Sequence, residues 1–293
     1  MTLREALADG RFPVTVEISP PKGTDVSGAL KEAARLRGMV QAFNVTDQQS
    51  SVMRLGALAL CHLLAEQGLE PVFQVTCRDR NRIALQSDLL SATALGIENV
   101  LCLTGDHVSL GDHPQAKPVF DLDSVTLLMV ASHLMQGKDL ADKELVGAPT
   151  FFLGAVVSPA ADPVEPQLFK MEKKIRAGAH FFQTQAVFDP EQFAVFMEAA
   201  GPLGRPVMAG IILLKSAGMA RFMNRNIPGI RVPERLIALM ESAQDRQATS
   251  ASIAADLIQA VRPLCQGIHL MAMGWEHLLP RVLESALAGK GAA

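Results

Sequence analysis

The chain has few aromatic residues and no tyrosine. Of its 293 residues, 5% are aromatic and one is tryptophan, so an aromatic platform for stacking nucleic-acid bases is not expected. The formal net charge of −3 lacks the basic excess of nucleic-acid binding proteins. The four cysteines are dispersed, and the closest pair, Cys61 and Cys77, is 16 residues apart. This spacing argues against a disulfide framework or a structural zinc site.

Long apolar runs and targeting signals are also missing. No window holds about 18 consecutive apolar residues, so no membrane span is predicted. The first residues lack the apolar centre of a signal peptide, and we expect a cytoplasmic protein. Motifs of phosphate-binding loops, Rossmann dinucleotide sites and zinc peptidases are absent. With 49% apolar and 19% charged residues, the chain predicts a large folded core.

What is present is an alternation of short apolar runs with longer amphipathic segments. Eight runs are predicted as strands, near Val14–Ser19, Ala42–Thr46, Val72–Thr76, Val100–Thr104, Phe151–Val157, Phe181–Gln185, Val207–Ile212 and Gly267–Met271. Helices are predicted near 26–38, 52–68, 81–95, 124–136, 165–177, 190–201 and 216–226, with two within 233–262 and a last one near 275–288. Asp123 offers an N-cap, and Gly68 and Gly96 suit helix ends.

This alternation favours a parallel sheet whose strands are joined by helices. Eight such units in 293 residues fit one closed (β/α)8 barrel, the TIM-barrel form of the α/β class, over residues 1–288. An open doubly wound sheet is the alternative. Residues 289–293 are expected to form a frayed tail.

In such barrels, functional residues gather where the strands end and the loops to the helices begin. Polar residues at or just after the predicted strand ends are Glu17, Asn44, Thr46, Asp47, Thr76, Arg78, Asp79, Asp106, Ser158, Gln183, Gln185, Lys215 and His269. The set contains carboxylates, amides and cations. It lacks the spacing of histidines and carboxylates that a metal site requires, so no metal is expected.

Two carboxylates are candidates for chemistry. Glu17 lies between Val16 and Ile18 in VTVEISPPKG, and partial desolvation there would raise its pKa and suit a general acid. The alternative is a buried structural glutamate paired with a lysine or arginine. Asp106 follows Gly105 in VLCLTGD, where the backbone can approach a ligand or simply turn.

Amides and arginines form two further groups. Gln183 and Gln185 point to the same side of one strand, so they could bind a heterocyclic ligand or pack inside the barrel. Arg78, Arg80 and Arg82 begin a predicted helix, where they could receive a phosphate or form a solvated charged face.

The order of these pieces resembles the methylenetetrahydrofolate reductase family. The segments that carry the resemblance are VEISPPKG, FNVTD, VTCRD, LTGD, the stretch Lys174–Asp189 and the Gly-Ile pair at 210–211. They span nearly the whole chain, and their combination is specific although each is short. The stretch from LTGD to FDLDS looks closest to the forms of acetogens and related anaerobes, which often work with a second subunit.

The resemblance implies a flavoprotein of one-carbon metabolism and methionine biosynthesis. It would carry FAD, or FMN, and reduce 5,10-methylenetetrahydrofolate to 5-methyltetrahydrofolate. By motif match, Glu17 would be the general acid and Asp106 would lie beside the pterin and the flavin. Gln183 and Gln185 are the expected substrate-binding residues. The positions matching the flavin site are Thr46, Asp79, Asp123 and Lys174.

The chain departs from the NADH-dependent bacterial members of the family in three places. Thr104 stands where they carry an arginine, Gln74 where they carry a histidine, and Lys215 with Ser216 where they place an aromatic residue. These changes affect NADH use more than folate reduction. The expected electron source is therefore NAD(P)H or an iron–sulfur or zinc-bearing partner subunit, in an oligomer or a hetero-complex.

Two other functions compete with the reductase. One is a non-redox protein that binds folate or pterin as a component of methyl transfer. The other is an unrelated barrel aldolase or lyase, in which Lys215 would form a Schiff base.

Overall fold

A computed structural model describes residues 1–287 as one closed barrel of eight parallel strands. Each strand pairs with its neighbours in chain order, and the last strand closes against the first. The strands are β1 (Val14–Ile18), β2 (Ala42–Val45), β3 (Pro71–Thr76), β4 (Asn99–Leu103), β5 (Phe152–Val157), β6 (Phe181–Ala186), β7 (Val207–Ile212) and β8 (Gly267–Met271). The predicted (β/α)8 barrel is confirmed, and no strand end differs from its prediction by more than one residue.

Helices connect the strands and surround the barrel. They are α1 (Leu3–Ala8), α2 (Ser27–Arg35), α3 (Ala57–Glu66), α4 (Arg82–Ala94), α5 (Ser124–Met135), α6 (Glu165–Arg176), α7 (Pro190–Ala200), α8 (Ala217–Asn226), α9 (Glu234–Ser242), α10 (Arg246–Val261) and α11 (Leu279–Leu287). Within residues 1–287, none of them combines the length and apolar character needed to cross a membrane. The expected tail, 289–293, lies outside the described residues.

The helices differ from the prediction at three points. Helix α1 was not predicted, because only six residues form it, but Thr2 caps it in a reciprocal capping box with Glu5. The segment predicted as helix 52–68 becomes helical only at Ala57, since Gly56 is extended. The segment 275–288 begins with a 3-10 turn at Glu276–Leu278 before α11.

The barrel interior has an apolar floor at the end where the strands begin. Leu3 and Leu7 of α1 are buried there against the inward-facing side chains Ala42, Val72, Leu101, Phe152, Phe181 and Met208. Helix α1 is anchored because the backbone N–H of Leu3 donates to both carboxylate oxygens of Glu70, at 2.9 and 3.0 Å. The floor closes one end of the barrel, so a ligand can enter only where the strands end.

The outward-facing residues of the strands pack beneath the helices in a second, larger core. Alternation along β1 illustrates the division: Val14, Val16 and Ile18 join the outer core, whereas Thr15 and Glu17 face inward. The strands therefore read as nearly continuous apolar runs, and most of their polar residues stand at inward positions. This parity determines which side chains can reach the interior.

Gly210 is required by the close approach of β6 and β7. A Cβ atom at this position would lie 2.4 Å from the carbonyl oxygen of Thr184 and 3.0 Å from that of Gln185. Gly210→Ala should therefore destabilise the fold by about 1–3 kcal/mol, because backbone atoms must move. Urea unfolding followed by circular dichroism measures the change.

Gly28→Ala is the matched control, since a Cβ atom at this position in α2 meets nothing within 4 Å. Its stability should change by less than about 1 kcal/mol, in the stabilising direction, because alanine is the better helix former. Equal stabilities of the two variants would contradict the steric argument.

Candidate active site

A layer of four buried polar side chains crosses the barrel above its apolar floor. Thr15, Asn44, Gln183 and His269 are at most 4% exposed. Asn44 Nδ2 donates to Gln183 Oε1 over 2.8 Å, and Gln183 Nε2 donates to Asn44 Oδ1 and Thr15 Oγ1 at 3.2 and 3.1 Å. Both amide atoms of Gln183 are thus bonded inside the barrel. Gln183 also lines the cavity above the layer, and its role toward a substrate stays a prediction.

The hydrogen bonds of Thr15 fix the protonation of His269. Thr15 Oγ1 accepts from Gln183, so its own hydrogen is directed to His269 Nδ1, 3.0 Å away. Burial lowers the pKa of His269 to about 4, which keeps the ring neutral. The remaining ring proton is therefore on Nε2, which lies 4.0 Å from Oε2 of Glu17.

Glu17 lies directly above this layer on β1, and its side chain is 11% exposed. Burial raises its pKa to about 7, and the nearby charge of Glu276 acts in the same direction. Gln49 opposes the rise, because Gln49 Nε2 donates to Glu17 Oε1 over 2.9 Å. Within residues 1–287 no lysine or arginine forms an ion pair with Glu17. A substantial fraction of the carboxyl is therefore protonated near neutral pH, as a general acid requires.

The cavity that Glu17 faces lies at the ends of the strands and has a volume of about 340 Å³. Its polar lining includes Thr46, Gln74, Thr76, Asp106 and Gln185, and its apolar lining consists of Leu101, Leu103, Val156 and Met271. Hydroxyl, amide and carboxylate groups between apolar walls suit a flat heterocycle with donors and acceptors on its edge. The donor set thus fits a pterin or the ring of a flavin.

Asp106 occupies the rim of this cavity and is exposed. Gly105 precedes it with a φ of +93°, and a Cβ atom there would lie 3.0 Å from Thr76 Cβ and 3.3 Å from Arg78 Cβ. The Asp106 carbonyl also accepts from Arg78 Nη1 at 3.3 Å. The Gly-Asp pair thus makes a turn that brings Asp106 to the rim of the cavity, and a contact with a ligand stays a prediction.

The three arginines after β3 are each paired with a carboxylate. Arg78, 2% exposed, binds Asp79, with Nη2 2.7 Å from Oδ2. Arg80 pairs with Asp47, and its Nη1 lies 2.9 Å from Asp88 Oδ2. The third pair joins Arg82 Nη2 to Asp121 Oδ1 over 2.8 Å. Arg80 and Arg82 thereby connect the segment after β3 to Asp47 and Asp121 in other loops, whereas Arg78 pairs with its neighbour in sequence.

Three of the residues expected at a flavin lie outside the cavity lining of the described chain. Asp79 is paired with Arg78, and Asp123 caps α5 by accepting from the N–H of Thr126 at 2.8 Å. Lys174 Nζ donates to the carbonyl of Val156 at 2.6 Å, and burial lowers its pKa to about 8. Their predicted roles remain predictions. Thr46, Glu17, Asp106, Gln183 and Gln185 are brought together.

Lys215, the Schiff-base candidate, also lies outside the cavity lining within residues 1–287. Its Nζ donates to the carbonyl of Met273 at 2.8 Å and lies 5.3 Å from the centre of the Trp275 ring. An amine held in this way is not directed at the cavity that contains Glu17. The structure therefore gives no support to the aldolase alternative.

Gln49 is the contact of Glu17 that sequence patterns did not single out. It lies in the 3-10 turn Gln49–Ser51 after β2, outside any strand. The only signal is the polar run Gln48–Ser51 directly behind a predicted strand end. Such runs usually form solvated turns, so the contact becomes visible only in the structure.

The raised pKa of Glu17 should make the folded state less stable as the pH rises. Its ordinary value is 4.5 and its folded value about 7, so the native state holds this proton more tightly than the unfolded state. Relative to Glu17→Gln, wild type should lose about 3 kcal/mol of unfolding free energy between pH 4.5 and about pH 8. Urea unfolding at several pH values measures this difference.

Glu284→Gln, on the exposed face of α11, is the control and should follow wild type at each pH. His269 has the opposite effect on stability at lower pH. Because its pKa is lowered in the folded state, the free energy of unfolding decreases as the pH falls from 6.5 towards 4. If the unfolding free energies of wild type and Glu17→Gln changed in parallel with pH, burial would not raise the pKa of Glu17.

The family profile and the curated relatives name the same family. A family profile described as methylenetetrahydrofolate reductase matches residues 2–287. The 5,10-methylenetetrahydrofolate reductase of Pectobacterium carotovorum is 26% identical over 269 residues, covering 88% of this chain and 84% of that protein. The enzyme of the same name from Escherichia coli is 25% identical over 268 residues, covering 88% and 85%.

A solved structure shows a similar fold. It is an uncharacterized protein from Clostridium thermocellum that binds two copies of 5-methyl-5,6,7,8-tetrahydrofolic acid. The TM-score is 0.67 at 15% identity, and the match covers 97% of both chains. Because the family profile spans nearly all of the chain, this protein belongs to the methylenetetrahydrofolate reductase family.

Proposed function

We propose that this protein reduces 5,10-methylenetetrahydrofolate to 5-methyltetrahydrofolate with a bound flavin. The observation that carries the proposal is Glu17: a desolvated carboxyl that pairs with no lysine or arginine within residues 1–287, facing a cavity at the strand ends of a family member. Asp106 and Gln185 line the same cavity and offer an acceptor and an amide to a pterin edge. Curated relatives with this activity and a folate-binding structural neighbour support the assignment.

Glu17 would supply the proton that opens the substrate ring. Protonation of a nitrogen of the five-membered ring forms an N–H bond, and the bond from that nitrogen to the bridging carbon breaks. The product is an iminium group, and a carboxylate remains on Glu17. A pKa of about 7 leaves a large fraction of Glu17 protonated at neutral pH, so the acid is ready before substrate binds.

The flavin, when bound, would supply the hydride that reduces the iminium carbon. Of the four expected flavin contacts, Thr46 lines the cavity, where its hydroxyl can reach a ring. Asp79, Asp123 and Lys174 would have to exchange their present partners or contact parts of the cofactor beyond the cavity. FAD and FMN both remain consistent with this arrangement.

The engagement of these three residues is the observation that favours a second candidate, a non-redox folate-binding component of methyl transfer. The cavity of about 340 Å³ is at the small end for ligand sites and would accept a pterin alone. The purified protein separates the two candidates. A yellow preparation supports the reductase, and a colourless one that cannot be reconstituted with FAD or FMN supports the binding component.

The reaction would take place in the cytoplasm, within one-carbon metabolism and methionine biosynthesis. All four cysteines are buried free thiols, as is usual in a reducing compartment. Electrons would come from NAD(P)H or from a partner subunit carrying an iron–sulfur or zinc centre. The chain would then work as an oligomer or within a hetero-complex.

Removing the acid should abolish most of the folate reaction while leaving binding intact. Glu17→Gln keeps the shape of the side chain and removes the proton, and general acids typically contribute about 10²–10⁴-fold. Reduction of methylenetetrahydrofolate by the pre-reduced, anaerobic enzyme should slow by that factor in stopped-flow absorbance. Affinity for 5-methyltetrahydrofolate, measured by calorimetry, should change little.

Glu284→Gln again serves as the control and should react like wild type. A Glu17→Gln protein that reduces the folate at the wild-type rate would refute the role of Glu17.

The electron source can be tested on the isolated chain. No phenylalanine or tryptophan lines the cavity within residues 1–287, so neither side chain is available there to hold a nicotinamide by stacking. NADH-driven folate reduction should therefore be far below about 10 s⁻¹, the median kcat of enzymes. Reduced viologen dyes should support the reaction. Turnover with NADH near that median would exclude the need for a partner subunit.

A further inference from the structure

We propose that Gln49 is a positioning residue for the acid: its amide holds the Glu17 carboxyl and stabilises the carboxylate that remains after proton transfer. The inference rests on the proposed role of Glu17. The contact that carries it is the 2.9 Å hydrogen bond from Gln49 Nε2 to Glu17 Oε1.

The direction of the Gln49 amide is set by a chain of hydroxyl groups. Thr46 Oγ1 donates to Ser19 Oγ over 3.2 Å, so the Ser19 hydrogen is free to donate to Gln49 Oε1, also at 3.2 Å. With its oxygen bonded to Ser19, the amide presents its nitrogen to Glu17. The donor therefore faces a carboxyl that becomes negative when it releases its proton, and the bond strengthens at that moment.

The turn that carries Gln49 is held in an uncommon backbone conformation. Gln48, Ser50 and Ser51 have φ values of 49°, 54° and 59°, which residues other than glycine rarely adopt. Gln48 is fixed by its side chain, whose Oε1 accepts from the N–H of Arg54 at 2.8 Å and whose Nε2 donates to the Arg54 carbonyl at 3.2 Å.

Neighbouring loops hold the same turn from two other sides. Arg78 Nη2 donates to the carbonyl of Gln48 at 3.2 Å, which ties the turn to the end of β3. The carbonyl of Ser51 lies so close to Gly111 that a Cβ atom there would be 1.8 Å from it. Contacts from three loops thus place Gln49 above Glu17, and a turn made only by its own sequence would not stay in this conformation.

Other groups around Glu17 must be separated from the effect of Gln49. His269 of β8 is neutral and lies 4.0 Å away, and Glu276 follows β8. The other charged side chains lining the cavity are Asp47, Arg78 and Asp106, from the loops after β2, β3 and β4. A substitution at Gln49 alters none of these groups. A change in the titration midpoint of Glu17 therefore measures the effect of the Gln49 amide.

The test is the titration of Glu17 itself, followed by carbon-13 NMR of glutamate-labelled carboxyl groups and assigned by comparison with Glu17→Gln. Gln49→Met keeps the length of the side chain and removes the donor, so the midpoint of Glu17 should rise by about one pH unit or more. The alkaline limb of the pH profile for folate reduction should move by the same amount. Gln115→Met, the same change in an exposed loop, should leave both unmoved.

Gln49→Glu is the second variant, because it retains the shape and replaces the donor with a like charge. Its Glu17 midpoint should rise further than that of Gln49→Met. An unchanged midpoint in both variants would overturn the proposal, as would a loss of rate at all pH values without a shift. A shifted midpoint in a protein that reduces no folate would support the role of Gln49 and reject the proposed reaction.

Discussion

The interior of a closed barrel admits almost no water, so each polar side chain that faces inward needs a hydrogen-bond partner among the other inward-facing groups. This constraint organises the centre of the molecule. Asn44 and Gln183 bond to each other across the barrel, and Thr15 accepts the second amide hydrogen of Gln183 and lies 3.0 Å from His269. This polar layer lies beneath Glu17, which is the one acidic residue on the eight strands of the described chain. The environment of the candidate acid depends on that layer.

The difference in composition between strands and helices made the architecture predictable. Apolar runs separated by amphipathic segments identified all eight strands, because parallel strands buried on both faces differ sharply in composition from the helices. Strand parity placed Gln183 and Gln185 on the same side of one strand. It could not reveal α1, whose six residues are stabilised by a capping box and by burial of Leu3 and Leu7 against the floor. Such short helices depend on tertiary contacts rather than on local propensity.

Loop contacts explain why the site was predicted only in part. Residues at strand ends, such as Glu17, Thr46 and Asp106, are positioned by the barrel itself, so their convergence follows from the topology. Gln49 is positioned by Gln48, Arg78 and Gly111, which come from three separate segments and hold a left-handed turn. No local pattern encodes that arrangement. Similarly, sequence analysis predicted for Arg78 a phosphate site or a solvated charged face, and did not predict its ion pair with the adjacent Asp79.

Arg78 and Arg80 are engaged by aspartates, and burial is the main cause of the raised pKa of Glu17. Two guanidinium groups, Arg78 and Arg80, lie in the loop next to the cavity, and an unpaired cation near a carboxylate typically lowers its pKa by about one to three units. Asp79 neutralises Arg78, while Asp47 and Asp88 neutralise Arg80. Both arginines thus form ion pairs with nearby aspartates. Burial is the largest cause of the raised pKa of Glu17. Within residues 1–287 the pairs of Arg80 with Asp47 and of Arg82 with Asp121 join segments around the cavity, whereas burial, Gln49 and Glu276 act on the pKa of Glu17.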